Sequence, residues 1–244
     1  LVTEKNKNSR LQILRVEHPL QCKIIERLNR FVVNVQVKGK PSRAHINNTG
    51  RLLEFLAKGK KGFCIRAPKK GKTDYRLFAV EDRNQGALID TQFQMKALEK
   101  LVEMNLIPWL QGCRIQRRNP RLGRSILDYL LECSGHATYL EVKSAVLRDE
   151  DYALYPDCPS LRGQRHIREL SLHVKKGGRG TLLFMAALPQ IKKFKPNKSA
   201  DHKLYLLLRK AHASGVKVKS IALYYHPENS FIYTYNTDLE VDLL

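Results

Sequence analysis

No Cys-x-x-Cys pair and no cysteine–histidine cluster occurs in the 244 residues, which excludes a zinc site of the usual ligand spacing. The five cysteines, Cys22, Cys64, Cys113, Cys133 and Cys158, are odd in number and scattered, so no disulfide framework is expected. A reduced, cytoplasmic setting is the expectation, nucleoid association included. Long apolar runs are missing as well. The longest, TLLFMAAL from Thr181 to Leu188, is far shorter than the roughly 20 residues that cross a bilayer. The first residues lack the charged-then-apolar layout of a secretory signal. No membrane partner is expected.

Nucleotide motifs are also lacking. Gly71-Lys72-Thr73 ends like a phosphate-binding loop, but Arg66 stands where that motif requires its first glycine. There is no G-x-G-x-x-G, no G-x-S-x-G elbow and no H-E-x-x-H helix, and His45, His166 and His173 show no metal spacing. A nucleotide cofactor is not expected, and core or surface roles suit the histidines. Acids are scarce: 23 Asp and Glu face 44 Lys and Arg, a net charge of +21 with a pI of about 9.9. Such an excess points to a polyanionic partner, nucleic acid before an acidic membrane surface.

What is present divides in two. From Leu20 to Asp82 short alternating runs (KIIERLNRFVVNVQV, SRAHI, FCIRA, YRLFAVE) read as strands, with one helical piece at GRLLEFLA. Several short strands with a single small helix suggest an OB-like barrel. After Gly86 the pattern changes. TQFQMKALEKLVEMN is an amphipathic helix with Phe93, Ala97, Leu98, Leu101 and Val102 on one side. The strands CRIQRR, SILDYLLE and ATYLEVKSAVL follow, then a helix capped by Ser160 and stopped at Gly177. A buried strand GTLLFMAAL, a helix ending at Gly215 and two last strands complete an α-β-β-β-α-β-α-β-β order. The expected class is α+β: a barrel over residues 1–86 and a mixed α/β sheet over 87–244. Lys and Arg number 20 against 7 acids in the first part and 24 against 16 in the second. The smaller part is the more basic.

One hairpin carries charges where a core strand would carry none. With Ser134-Gly135 as a two-residue turn, Cys133 faces His136 and Asp128 falls opposite Glu141, with Lys143 on the same face. Two carboxylates that close repel unless a cation sits between them, and Mg²⁺ (or Mn²⁺) suits oxygen ligands with substrate phosphate. Lys143 would then steady the nucleophile or the developing charge. The other reading is a salt-bridge ladder on a solvated face; the apolar residues flanking these positions on both faces weigh against it.

Basic segments complete the pattern. Between Glu54 and Asp74 lie Lys58, Lys60, Lys61, Arg66, Lys69, Lys70 and Lys72 with no acid, and Phe55, Phe63 and Tyr75 are interleaved. Loops of this kind fit backbone neutralisation and base stacking, although Phe63 alternates with Ile65 as a core residue would. A solvated lysine loop is the alternative. A second acid-free span carries Lys175, Lys176, Arg179, Lys192, Lys193, Lys195 and Lys198 and would continue the track.

Six ordered blocks, RFVVNVQV, HINNTGRL, LIDTQFQMKALEKLVEMNLIP, RSILDYLL, YLEVKSAVL and LYPDCPSLRGQRHIREL, resemble the sugar fermentation stimulation protein A family over nearly the whole chain. The resemblance implies an N-terminal OB-like DNA-binding domain and a C-terminal PD-(D/E)XK nuclease-like domain with a restriction-endonuclease-like sheet. By position it puts Asp128, Glu141 and Lys143 on the nuclease signature and Glu99 on the acidic residue of the preceding helix. Asp128, Glu141 and Glu99 become metal ligands, and all four become catalytic candidates. Pro156-Asp157 mimics the signature but follows the Glu-x-Lys strand; its block implies that Asp157, Arg162 and Gln164 approach the site. The HINNTGRL block adds Asn47, Asn48 and Arg51 as DNA contacts beside Lys58, Lys60, Lys61, Lys69 and Lys70. Ile126 stands where the family has Arg, and Ser144 where it has Asn, with Arg124 near enough to replace the lost charge. The resulting expectation is a DNA-binding protein with a Mg²⁺-dependent, phosphodiester-hydrolysing site, largely indifferent to sequence, with a homodimer among the expected assemblies. The alternatives are a non-enzymatic DNA-binding regulator of sugar metabolism and an RNA-processing protein.

Overall fold

Alternating burial builds the first half of the molecule. The computed structural model describes residues 10–67 and 71–243. The early strands are β1 (Leu11–Arg15), β2 (Leu20–Arg27), β3 (Val32–Val37), β4 (Lys40–His45), β5 (Lys61–Arg66), β6 (Tyr75–Asp82) and β7 (Gln85–Ala87). In β2 and β3 every second residue (Cys22, Ile24; Val33, Val35, Val37) is buried, each such aliphatic side chain contributing about 1.5–3 kcal/mol. β3 pairs antiparallel with β2 and β4, β4 runs parallel to β6, and β5 joins β6 back to β2. The ring is closed, a five-stranded OB barrel.

The expected helix at GRLLEFLA is absent. Leu52 has φ of 51° and only a turn forms around residues 53–55. A left-handed residue stops helical propagation, so Leu52, Phe55 and Leu56 are buried from a loop.

Next come α1 (Thr91–Glu103), β8 (Cys113–Arg118), β9 (Arg121–Leu122), β10 (Ser125–Ile126), β11 (Tyr129–Cys133), β12 (His136–Ala145), β13 (Leu147–Asp149) and β14 (Tyr152–Tyr155). The chain ends with α2 (Leu161–Lys175), β15 (Arg179–Ala186), β16 (Lys193–Pro196), α3 (His202–Ala213), β17 (Lys217–His226) and β18 (Phe231–Val241). Two compact units result. The first runs past the division read at residue 86 to Ala97, and takes in Ala187–Gln190 and Ala222–Asn236. Pairing is the cause: β18 lies against β1, and Tyr225 of β17 opposes Gly86. A Cβ at Gly86 would stand 2.9 Å from the Tyr225 ring. That ring also packs edge-on against Phe78 and Phe63, at 4.8 and 5.2 Å.

In the second unit β11 is antiparallel to β8 and β12, β12 is parallel to β15, and β15 also pairs with β17. A ribbon of β13, β14, β16 and β18 completes the strands. Ser160 caps α2, accepting from Gly163 N–H at 3.0 Å, and Gly177 follows its end with φ of 86°. SILDYLLE is two strands, not one. Leu127 N–H donates to Pro120 and Asn119 N–H to Asp128, which pulls the chain out of the ladder before β11. The expectation of no disulfide is corrected too: Cys113 and Cys133 are bonded, because the β8–β11 register sets them directly opposite. Among the described residues no helix is long and apolar enough to cross a membrane.

Candidate active site

Ser134 and Gly135, with φ of 50° and 77°, make the two-residue turn of the hairpin. Cys133 faces His136 and Tyr129 faces Leu140, where the ladder ends. Asp128 therefore sits one residue beyond the paired strands. Its side chain still reaches across: Oδ2 accepts the Val142 N–H at 2.7 Å. Glu141 lies in the interior of β12 at 2 % exposure and Lys143 at 12 % for the side chain, because β12 is flanked by β11 and β15. Lys143 Nζ donates to Glu141 Oε1.

Sequence reasoning set His166 aside, yet it belongs here. From the buried face of α2 it meets the same Glu141 Oε1 through Nδ1 at 2.6 Å, and Arg162 Nε donates to its Nε2 at 3.4 Å. The i, i+4 spacing of Arg162 and His166 beside a shared block was the available signal. Tyr155 was missed as well; its phenol is pushed up by burial against the opposing pull of Lys143.

The charges are strongly coupled. Burial, then the Glu141 charge, pushes the Asp128 carboxyl up to about 7, against the Val142 N–H, Lys143 and Arg162. Burial also opposes charge on Glu141, but Lys143 and His166 overcome it and hold that carboxyl below its usual range. For Lys143 burial is outweighed by Glu141, with help from Tyr155 and Asp128, and the ammonium is held above its usual range. Glu141 Oε2 is buried with no hydrogen-bond partner. A buried carboxylate oxygen in that position is costly unless something cationic meets it.

Glu99 is turned elsewhere. It receives Arg118 Nε and Nη2 at 2.7 and 2.9 Å and the Tyr129 hydroxyl at 2.8 Å. Among the described residues no group of three or more His, Cys, Asp or Glu is arranged to hold a metal ion. Asp128 and Glu141 are close enough for the charge of one to act on the other; two carboxylates are also the number that commonly serves an ion completed by water and substrate phosphate.

The other candidates scatter. Arg162 is exposed and near enough for its charge to act on Asp128. Gln164 is buried and donates to the Asp201 carboxylate at 3.1 Å, away from Glu141's contacts. Asp157 raises the Tyr155 phenol. Arg124 is exposed, its N–H on Glu169 at 3.3 Å, and Ile126 is 54 % exposed.

In the first unit Asn47 Oδ1 accepts the Thr91 N–H, while Asn48 bonds Ile89 O and Gly50 N–H, so both fasten backbone. Arg51 and Lys58 are exposed, Lys60 lies 5.7 Å over Phe55, and Lys61 pairs with Glu81 at 3.2 Å. Lys69 and Lys70 lie outside the described residues. Phe55 and Phe63 are each only 2 % exposed, which fits the core reading of Phe63 and corrects that of Phe55 as a stacking aromatic. The second acid-free span is acid-free only in sequence: Lys192, Lys193 and Lys195 each pair at 2.7 Å with Asp151, Glu240 and Asp149 respectively.

A closed OB barrel followed by a restriction-endonuclease-like mixed sheet, with Asp, Glu and Lys on one hairpin, defines the class. Comparison agrees. Residues 25–89 match the family model for the SfsA N-terminal OB domain and residues 92–229 that for the sugar fermentation stimulation protein RE domain. The sugar fermentation stimulation protein homologue of Pyrococcus furiosus is 46 % identical over 232 residues, 95 % of this chain and all of that one. The Archaeoglobus fulgidus homologue is 43 % identical over 231 residues, 95 % and 99 % of the two chains. The solved structure of Pyrococcus furiosus SfsA in complex with Ca²⁺ superposes with a TM-score of 0.92 at 44 % identity, covering 95 % of this chain and 99 % of that one. The chain belongs to the sugar fermentation stimulation protein family.

Proposed function

We propose that this protein binds DNA and hydrolyses its phosphodiester bonds with a divalent ion held by Asp128 and Glu141. One observation carries the reading: the Glu141 oxygen left without a partner beside an aspartate whose carboxyl is pushed up to about 7 by burial and by that same glutamate. Two acids in that state are short of positive charge. A bound Mg²⁺ would polarise a phosphoryl oxygen and acidify its water. The chain's own part is positioning. The Val142 N–H fixes the Asp128 carboxylate, and His166 with Lys143 pins one oxygen of Glu141 so that the other is directed. Lys143, charged and nearly dry, suits stabilisation of the negative charge that develops on phosphate. The Pyrococcus furiosus protein was solved in complex with Ca²⁺, which is consistent, since that ion also takes oxygen ligands. The net charge of +21 supports DNA as substrate through backbone neutralisation.

A non-enzymatic DNA binder is the second reading, favoured by Glu99 being committed to Arg118 and Tyr129. Incubation of linear, circular and single-stranded DNA with Mg²⁺ or Mn²⁺ separates the two. The nuclease reading expects metal-dependent cleavage that Glu141→Ala and Lys143→Ala each reduce about a hundredfold or more, with DNA affinity retained. Intact DNA under all conditions, or cleavage unaltered in Glu141→Ala, rejects it.

A further inference from the structure

Exposed apolar side chains gather on the barrel where no core needs them. Leu28 and Phe31 flank the β2–β3 turn at 44 % and 47 % exposure, and Leu53 in the loop after β4 is 74 % exposed. One side chain fastens turn and loop together. Arg27 donates Nε to Asn29 O at 3.0 Å, Nη2 to Arg30 O at 2.9 Å, and Nη1 to Gly50 O and Arg51 O at 2.8 and 2.5 Å. Asn29 Oδ1 in turn accepts the N–H groups of Phe31 and Val32 at 2.9 and 3.1 Å. The apolar tips stand on a backbone already held in place, so little ordering entropy remains to be lost on binding.

Two guanidiniums, Arg30 and Arg51, adjoin these tips in the chain, as do the acids Glu26 and Glu54. The Arg30 guanidinium lies 5.9 Å from the Phe31 ring centre, and among the described residues neither Arg30 nor Arg51 has an ion-pair partner. An apolar protein surface docking here would strip water from two guanidiniums without replacing it. A polyanion with flat π-faces satisfies both halves of the patch, the ring by stacking and the guanidiniums by phosphate.

We infer that the β2–β3 turn is a base-stacking contact for unpaired nucleotides of DNA, with Phe31 receiving a base and Arg30 and Arg51 the flanking phosphates. Leu28 and Leu53 shield the stacked base from water. The inference rests on the DNA reading above and adds to it the form of DNA preferred.

The test is fluorescence anisotropy with a labelled single-stranded oligonucleotide and a blunt duplex of equal length, over a series of salt concentrations. Phe31→Ala is expected to weaken single-strand binding about tenfold with the salt dependence unchanged, and to affect the duplex little. Phe31→Trp should restore it. Arg30→Ala and Arg51→Ala should each lower the slope of log K against log salt by about one. Phe31→Ala binding single strands like the parent overturns the inference and leaves the DNA reading intact. An equal loss on the blunt duplex overturns the assignment to unpaired bases. Failure of the parent protein to bind either DNA at low salt removes both.

Discussion

Among the described residues each compact unit holds a carboxylate–cation pair drawn largely out of water, and the two are used differently. In the first, the side chains of Asp90 and Arg76 are 0 % and 18 % exposed and lie 2.9 Å apart. Asp90 Oδ1 also accepts the Phe93 N–H at 2.9 Å and so caps α1, while Arg76 donates to Gln92 at 2.6 Å and lies 4.9 Å over the Phe93 ring. Every contact fastens the start of one helix. In the second, no helix end depends on Glu141 or Lys143. Lys143 and His166 both crowd one Glu141 oxygen, and the other has no hydrogen-bond partner. Burial of charge therefore does not mark a site by itself. Asp90 Oδ2 also lacks a hydrogen bond but lies 2.9 Å from Arg76 Nε; what distinguishes Glu141 is that both of its contacts fall on Oε1, next to an acid that shares its burial.

The strongest way to break this comparison is to remove Asp90. Asp90→Ala leaves Arg76 buried without its counter-charge and takes the cap from α1. A loss of about 3–5 kcal/mol in unfolding free energy is expected from the broken pair, read by urea or guanidinium denaturation. A loss below about 1 kcal/mol, the size of the cap alone, would show that the pair does not anchor the helix.

How far the sequence announced all this depends on the range of the interactions. The hairpin register was legible because a two-residue turn sets it locally, and the Ser160 cap and Gly177 stop were legible for the same reason. Phe63 was legible as core from its alternation with Ile65, whereas Phe55 was misread because it lies in a lysine-bordered loop whose burial depends on the tertiary fold. Nothing local tells Cys113 that it will face Cys133, since that depends on β8 choosing β11 as its neighbour. The Lys192–Lys195 stretch looked uncompensated because its acids arrive from Asp149, Asp151 and Glu240. His166 went unrecognised because its partner, Glu141, comes from another element. Local chemistry could be read from spacing, and pairings made by the tertiary fold could not.

A second, smaller effect sharpens the contrast from the side of the acids. The folded chain holds a proton on Asp128 up to about pH 7, whereas an unfolded aspartate releases it near pH 4. Below that lower value the stabilisation is complete, and it is lost as pH rises through the folded value. In chelator, the unfolding free energy should fall across this window by up to about 1.4 kcal/mol per pH unit more than in Asp128→Asn. Mg²⁺, if it binds the ionised form, should reduce the difference at the upper end. Parallel pH profiles for the two proteins would mean that Asp128 is not held up.

The smallest expected change is the most telling about purpose. Replacing Glu141 and Lys143 together, as Glu141→Gln with Lys143→Met, removes both buried charges while keeping volume, and the new amide oxygen can still accept from His166. Buried pairs exchanged in this way are often neutral or gain about 1–4 kcal/mol. Here the expectation is a stability within about 1 kcal/mol of the parent, or above it, with metal-dependent cleavage gone. The matching exchange in the first unit, Arg76→Met with Asp90→Leu, should lose stability, because α1 keeps no cap. Thermal or denaturant melts of the two double variants, set beside a cleavage assay, decide the matter. Equal losses in both would mean that the Glu141–Lys143 pair is also an anchor. A tolerant fold with a silent site would mean that the second pair is retained for its chemistry.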